Sequence, residues 1–191
     1  MQQTDEELIQ QYIQGNTQAM EIIFQRYKLK MFNYALRFLA NRADAEDVVA
    51  DTFVAIVSRK YTYQPEVKFS TWLYTVVHHA AIDRLRRRKR NVSMWFQKES
   101  GGELEEFQIP DPKQDPGQDA QKEDMKINIQ MAVNKLPADQ KEALILREYQ
   151  DLSYEEIGQI LNCSLSNVKV LIFRAREQLR KDLSAVLKEG F

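Results

Sequence analysis

One cysteine, six glycines and five prolines in 191 residues leave this chain with few crosslinks and few places to break a helix. The single thiol, Cys163, excludes an intrachain disulfide and a cysteine-based zinc cluster, and it fits a reducing compartment. The only two histidines, His78 and His79, are adjacent rather than three or four residues apart, which makes them a poor metal pair. No apolar run approaches the ~20 residues that span a bilayer, and MQQTDEELIQ lacks the basic start and apolar stretch of a secretory signal. These absences point to a cytoplasmic protein with no metal, no cofactor and no membrane insertion of its own. Alternating strand patterns are also nearly missing, so the expected fold class is all-α.

What is present is unevenly distributed. The net charge of -1 hides a segregation: residues 1–90 hold 14 basic and 10 acidic side chains, 91–124 hold 3 and 9, and 125–191 hold 10 and 9. Three of the five prolines and both Gly-Gly and Pro-Gly pairs fall in the acidic middle segment. The chain therefore reads as two small helical domains, 1–90 and 125–191, joined by a flexible acidic linker over 91–124. Met94, Trp95, Phe96, Leu104, Phe107 and Ile109 give that linker apolar anchor points.

In the first domain a short helix near 5–13 ends at Gly15-Asn16, and a longer one runs from about 17 to 40. Met20, Ile23, Phe24, Tyr27, Met31, Tyr34 and Phe38 make its apolar stripe; Ile22, Leu29, Phe32 and Leu36 on the other side imply a second buried face or a partner surface. The next helix starts in NRADAEDVVADTF, with Asp44 a candidate cap and Asp47 adding charge to the first turn. Val48, Val49, Thr52, Phe53 and Ile56 line its core side. Asp47 and Asp51, four apart, share another face with Asp44 behind them, which is either a solvated acidic face or a docking site for a basic helix.

The stretch 69–90, FSTWLYTVVHHAAIDRLRRRKR, combines apolar periodicity with dense positive charge. Ser70 is a candidate N-cap. Trp72, Leu73, Val76, Val77 and Ala80 fall on one stripe, while Tyr74, Thr75, His78 and Ile82 lie away from it. Six of the seven residues from 84 to 90 are Arg or Lys, so Arg84, Arg86, Arg87 and Arg88 suit phosphate contact, though a basic run is as often a solvated face. In the preceding loop Tyr61 and Tyr63 lie near Lys68 and Phe69. Aromatics interleaved with cations suit unpaired strands, because base stacking contributes on the order of 1–3 kcal/mol per ring.

In the second domain a helix through Met125, Ile129, Ala132 and Val133 reaches Leu136-Pro137, and another spans Ala138 to Tyr149. Ser153 and Glu156 form a capping box for a short helix to Leu161; Asn162-Cys163 turns the chain and Ser164 can cap a longer helix. Short helix, tight turn, longer helix is the helix-turn-helix arrangement, whose second helix enters the major groove. Val168, Ile172, Ala175 and Leu179 share its core stripe, and Ser166, Lys169, Val170, Phe173, Arg174 and Glu177 face away. Ser166, Asn167 and Lys169 would lie nearest base edges, with Arg174, Arg176, Arg180 and Lys181 nearer the phosphates.

With these segments in order, the chain resembles a bacterial RNA polymerase sigma factor of the extracytoplasmic-function (group IV) type over nearly its whole length. DAEDVVADTF looks like that family's polymerase-docking segment, FSTWLYTVVHHAAIDRLRRRKR like its promoter-melting and minus-10 recognition helix, and LPADQKEALILREYQDLSYEEIGQILNCSLSNVKVLIFRAREQLR like its minus-35 reading domain. The resemblance implies a transcription initiation factor, not an enzyme. It implies that Asp44, Glu46, Asp47 and Asp51 bind the clamp helices of the largest subunit of core RNA polymerase, and that the loop from Tyr61 to Lys68 holds a flipped minus-10 base. Single-stranded and duplex promoter DNA would then meet Tyr61, Tyr63, Lys68, Phe69, Trp72, Thr75, His79, Arg84, Arg86, Arg87 and Arg88 at minus-10. Ser166, Asn167, Lys169, Val170, Phe173 and Arg174 would meet it at minus-35. An anti-sigma factor is a further implied partner. The chain departs from the family's usual residues at His78-His79, Ser166-Asn167 and Val170-Leu171, which leaves both promoter preferences open.

Two rivals stand beside this reading. A metal-dependent nuclease would use Asp44, Glu46, Asp47 and Asp51, but those acids lie on one helix and diverge. A stand-alone helix-turn-helix regulator would bind a duplex operator by itself, usually as a dimer, and the sequence carries no dimerisation heptad.

Overall fold

The computed structural model describes the backbone of residues 3–96 and 120–189 and the side chains of 3–90 and 125–184. Every regular element among the described residues is a helix: α1 Asp5–Ile13, α2 Thr17–Leu39, α3 Arg42–Val57, α4 Phe69–Phe96, α5 Ala120–Lys135, α6 Ala138–Gln150, α7 Tyr154–Ile160 and α8 Leu165–Glu189. The chain divides into two compact units, the first carrying α1 to α4 and the second α5, α6 and α8, with the short α7 leading directly into α8. No described helix is long and apolar enough to cross a membrane. The end of α4 runs into 91–124, because NVSMWF contains no Gly or Pro to stop a helix, and α5 begins within the same segment at Ala120. The side chains of that segment, its apolar anchor points included, lie outside the described residues.

Local chemistry sets most of the helix ends. Thr4 and Glu7 form a capping box that opens α1, and Gly15, at φ 104, makes the turn to α2, which Asn16 caps. Two expected caps are replaced. Asn41 caps α3 by accepting the Asp44 amide at 2.8 Å, so Asp44 sits in the first turn with its carboxylate free to point elsewhere. Likewise α4 begins at Phe69, one residue before Ser70, and the Phe69 amide donates to the Glu6 carboxylate of α1 at 3.1 Å. A cap supplied from 63 residues away has no local signature.

In the first unit α2 packs on α1, α3 and α4, and α3 packs on α4. The stripes read from the sequence meet in its core: Met20, Ile23, Tyr27, Met31, Tyr34 and Phe38 from α2, Val48, Val49, Thr52, Phe53 and Ile56 from α3, and Leu73, Val76 and Val77 from α4 are buried. The buried arc of α4 is broader than its stripe, because the helix contacts α1, α2 and α3 together. Tyr74, expected on the presented side, is buried edge-on against Tyr34 at 5.6 Å, and Ala81 rather than Ala80 is fully covered. The outer residues of α2 split: Leu36 is buried and Phe32 lies under the Arg42 guanidinium, whereas Ile22 and Leu29 are exposed.

At the centre lies Phe69, with no exposed surface, touching Tyr27, Tyr63 and Trp72 ring to ring at 5.5 to 5.8 Å. Tyr27 in turn donates to Asp5 at 2.5 Å, and Arg26 pairs with the same carboxylate at 2.7 Å, tying α1 to α2.

In the second unit α8 packs on α5 and α6, and Val133, Leu136, Leu144 and Ala175 form a cluster with Ile129 and Leu179 against it. The Ser153 and Glu156 box closes in both directions, at 2.8 and 3.2 Å. Between α7 and α8 the Cys163 amide donates to the Gly158 carbonyl at 2.9 Å. A Cβ on Gly158 would lie 2.9 Å from the Cys163 oxygen, so the tight turn needs glycine there. Lys141 is buried beside Asn134, to which it donates at 2.9 Å, and desolvation pushes its pKa down to about 8.

Phe69→Ala is expected to lower the stability of the first unit by about 3–5 kcal/mol through cavity formation; urea unfolding followed by tryptophan fluorescence checks this, since Trp72 lies against the Phe69 ring. Folded Lys141 releases its proton near pH 8 and the unfolded side chain near 10.5, so between these values the unfolded state holds more protons and stability rises with pH. Lys141→Met should remove that rise in urea titrations followed by circular dichroism from pH 7 to 9.5, and an identical slope in the two proteins would show that Lys141 is not its source.

Candidate nucleic-acid interface

The loop before α4 is held from inside. Tyr63 is buried, its hydroxyl donating to the Val67 carbonyl at 2.7 Å and its ring edge-on to Phe69 and Trp72. Burial pushes its phenol pKa up. Tyr63 and Phe69 are therefore core residues that shape the loop, not the open stacking platform expected from their neighbouring cation. The apolar surface of these rings has more to gain from each other than from water. Tyr61 is half-buried with the Lys60 ammonium 5.7 Å from its ring centre, Lys68 is exposed, and Trp72 and Thr75 are half-buried. Thr75 donates its hydroxyl to the Thr71 carbonyl at 2.9 Å, while His79, one turn further on, is exposed.

The basic end of α4 is of two kinds. Arg84 donates to Asp44 at 2.6 Å and to Asp47 at 2.9 Å, and Arg88 lies 4.0 Å from the second Asp44 oxygen. The Asp44 side chain is only 14% exposed, and its bond to Arg84 raises the guanidinium pKa. Arg84, expected on DNA, and Asp44, expected on polymerase, thus neutralise one another across α3 and α4. A carboxylate this covered needs a cation beside it. The pairing spans 40 residues and leaves no trace in local spacing. Arg86, Arg87 and Arg88 remain exposed, joined by Lys89 and Arg90, with Arg86 lightly held by Asp83 at 3.5 Å.

On the outer face of α3, Glu46 pairs with Arg42 at 2.9 Å and Asp51 is exposed. Beyond Asp51 the same side continues through Val54 and Val57, which are 66% and 53% exposed. Charge spacing alone singles out only the acids. Val54 and Val57 fall outside the core stripe of α3, and that is the signal in the sequence for an acidic surface continued by an apolar one.

In the second unit Ser164 caps α8, accepting the Asn167 amide at 3.2 Å. Val168, Ile172 and Ala175 are buried, and Ser166, Asn167, Lys169, Val170, Phe173 and Arg174 are all exposed on the other side. Two of the outer arginines are engaged within the unit: Arg176 with Glu148 of α6 at 2.5 Å and Arg180 with Glu177 at 2.9 Å. Lys169, Arg174 and Lys181 are exposed on the same helix. Among the described residues no group of three or more His, Cys, Asp or Glu side chains is arranged to hold a metal ion.

Residues 23–91 match the family described as sigma-70 region 2, and 126–179 match the family described as sigma-70, region 4. RNA polymerase sigma-H factor of Pseudomonas aeruginosa is 27% identical over 99% of this chain and 98% of its own length. Two Bacillus subtilis proteins are similar: RNA polymerase sigma factor YlaC, 31% identical over 90% of this chain and 95% of its own, and ECF RNA polymerase sigma factor SigW, 30% identical over 92% and 94%. Among solved structures, the sigma factor RpoE of Bartonella quintana, in complex with the anti-sigma factor NepR, superposes with a TM-score of 0.67 at 27% identity, covering 86% of this chain and 98% of that one. CnrH, in complex with the cytosolic domain of CnrY, superposes at 0.69 with 22% identity, covering 96% and 99%, a likeness of fold.

If the Asp44 and Arg84 bond is what fixes α4 against α3, the double-mutant cycle of Asp44→Asn and Arg84→Gln should return a coupling of about 1–3 kcal/mol in urea unfolding. A coupling near zero would mean that the contact is incidental to the fold.

Proposed function

The chain belongs to the extracytoplasmic-function branch of the sigma-70 family of RNA polymerase sigma factors, and on that footing we propose how it directs promoter-specific initiation. Members of this family carry no catalytic activity of their own; the polymerase makes the RNA. In our reading the first unit docks on core polymerase and engages the minus-10 element, and α8 of the second unit reads the minus-35 element. The observation that carries it is the order of two family regions in one chain, each coinciding with a helical unit that exposes cations.

Docking falls to the outer face of α3, where Asp51 and Asp47 offer charge to a basic helix and Val54 and Val57 add apolar area, with Glu46 at the edge. The clamp helices of the largest polymerase subunit are the partner for that face. Asp44 serves indirectly, by holding Arg84 and so the angle of α4. At minus-10, Arg86, Arg87 and Arg88 take phosphates, and a flipped base enters by the loop from Tyr61 to Lys68, beside Trp72, Thr75 and His79. Extruding a base costs a few kcal/mol, which capture in the loop must offset. Because Tyr63 and Phe69 are core residues, they act by fixing the loop's shape. At minus-35, Lys169 and Arg174 take phosphates while Ser166, Asn167, Val170 and Phe173 face the bases. The complex of the similar RpoE with NepR supports an anti-sigma protein as a regulator of this chain too. Its place of action is then the cytoplasm, with the polymerase.

The test is reconstitution. Core polymerase with the purified chain should initiate at discrete promoters mapped after overexpression; absence of specific initiation with any bacterial core enzyme would overturn the reading. Asp47→Arg with Asp51→Arg should weaken core binding about tenfold, equivalent to roughly 1.4 kcal/mol. Replacing Arg86, Arg87 and Arg88 by Gln should flatten the slope of log affinity against log salt by about 0.9 for each phosphate that is no longer neutralised.

A further inference from the structure

The exposed side of α8 has an apolar centre and a cationic border. Advancing about 100° per residue, Phe173, Ser166 and Val170 occupy the middle ~60° of the exposed arc. Lys169 lies on one edge of that arc, and Arg174 and Asn167 on the other. Phe173 is 66% exposed and Val170 42%, whereas Val168, Ile172 and Ala175 on the opposite side are covered to within 1%. These two apolar residues are three apart and so adjacent on the surface. The folded unit has no use for them: they do not belong to the cluster of Val133, Leu136, Leu144 and Ala175 that joins α8 to the rest.

Over 166–174 the face is thus ordered as cation, apolar, cation across the width of one helix; Glu177 shares the middle sector one turn beyond Phe173 and is paired with Arg180 at 2.9 Å. A major groove has the same order, with phosphates on both walls and base edges on the floor. On that floor the donor and acceptor atoms of guanine, cytosine and adenine would be desolvated against Val170 and Phe173 without replacement, which is unfavourable. The C5-methyl of thymine is the one apolar group a normal base pair presents there. Short Ser166, one turn before Val170 on the same sector, leaves room for close approach at the start of the helix.

We propose that Val170 and Phe173 are specificity-determining residues that read thymine methyl groups in the minus-35 element, with Lys169 and Arg174 anchoring the flanking phosphates. This inference rests on the reading that α8 enters the minus-35 major groove. Specificity at those pairs then comes from methyl burial and from the cost of placing polar edges there, not from hydrogen bonds.

Replacing thymine by uracil removes only the methyl and leaves base pairing intact. The probe is a promoter duplex mapped as above, carrying dU for dT at one minus-35 position at a time, bound in competition by the holoenzyme at fixed salt. At one or more neighbouring positions dU should weaken binding about fourfold, the loss expected for one buried methyl. In Val170→Ala or Phe173→Ala holoenzyme the difference between dT and dU at the touched position should fall to near unity. Both variants alter exposed side chains, and unchanged thermal melting verifies that they fold.

If dU is neutral everywhere while scrambling the minus-35 element still weakens binding, the methyl inference fails and the groove reading stands. If scrambling has no effect, the groove reading itself fails. Full methyl discrimination retained in both variants would assign Val170 and Phe173 to a protein contact and overturn the inference.

Discussion

Phe69 is the point on which the first unit turns. Its ring is completely enclosed by Tyr27 of α2, Tyr63 of the preceding loop and Trp72 of its own helix, and its amide is held by Glu6 of α1. One residue thereby fixes where α4 starts, how the loop before it folds and how the N-terminal helix lies against both. For a loop proposed to receive a single base, being shaped before the base arrives is an advantage, because ordering it at that moment would consume binding energy. The aromatic rings meet this need from within, by rigidity, while half-buried Tyr61 and exposed Lys68 face outward.

Charge in this unit is likewise divided between holding and offering. Arg84, Asp44 and Asp47 form a bridge between α3 and α4, and Arg86, Arg87, Arg88, Lys89 and Arg90 continue past it into solvent. Part of the positive run orients the remainder. The same economy recurs in α8, where Arg176 is tied to Glu148 of α6 and Arg174, two residues earlier, points outward. Arginine suits both tasks, since its planar donors grip a carboxylate or a phosphate with equal geometry.

The two units handle their apolar surplus differently. Along α3 the exposed valines extend an acidic strip, a composition suited to a helix with both basic and apolar residues. Along α8 the exposed valine and phenylalanine lie between cations, a composition suited to a groove walled by phosphate. Neither patch is covered by the unit that carries it.

The sequence by itself determined the all-helical architecture, the separate packed stripes, the capping of α7 and α8, and the outward residues of α8. All of these depend on interactions within a few residues, where spacing and side-chain type settle the outcome. The family was legible too, from three motifs in order. Only the tertiary structure decided that Asn41 rather than Asp44 caps α3, that Glu6 caps α4, that Tyr74 is buried, that Tyr63 and Phe69 form a core instead of a platform, and that Arg84 belongs to Asp44. Each of those joins groups brought together by packing, or turns on how wide an arc of helix the neighbours cover. Periodicity reports the direction a side chain faces; what stands opposite it is set by the other helices.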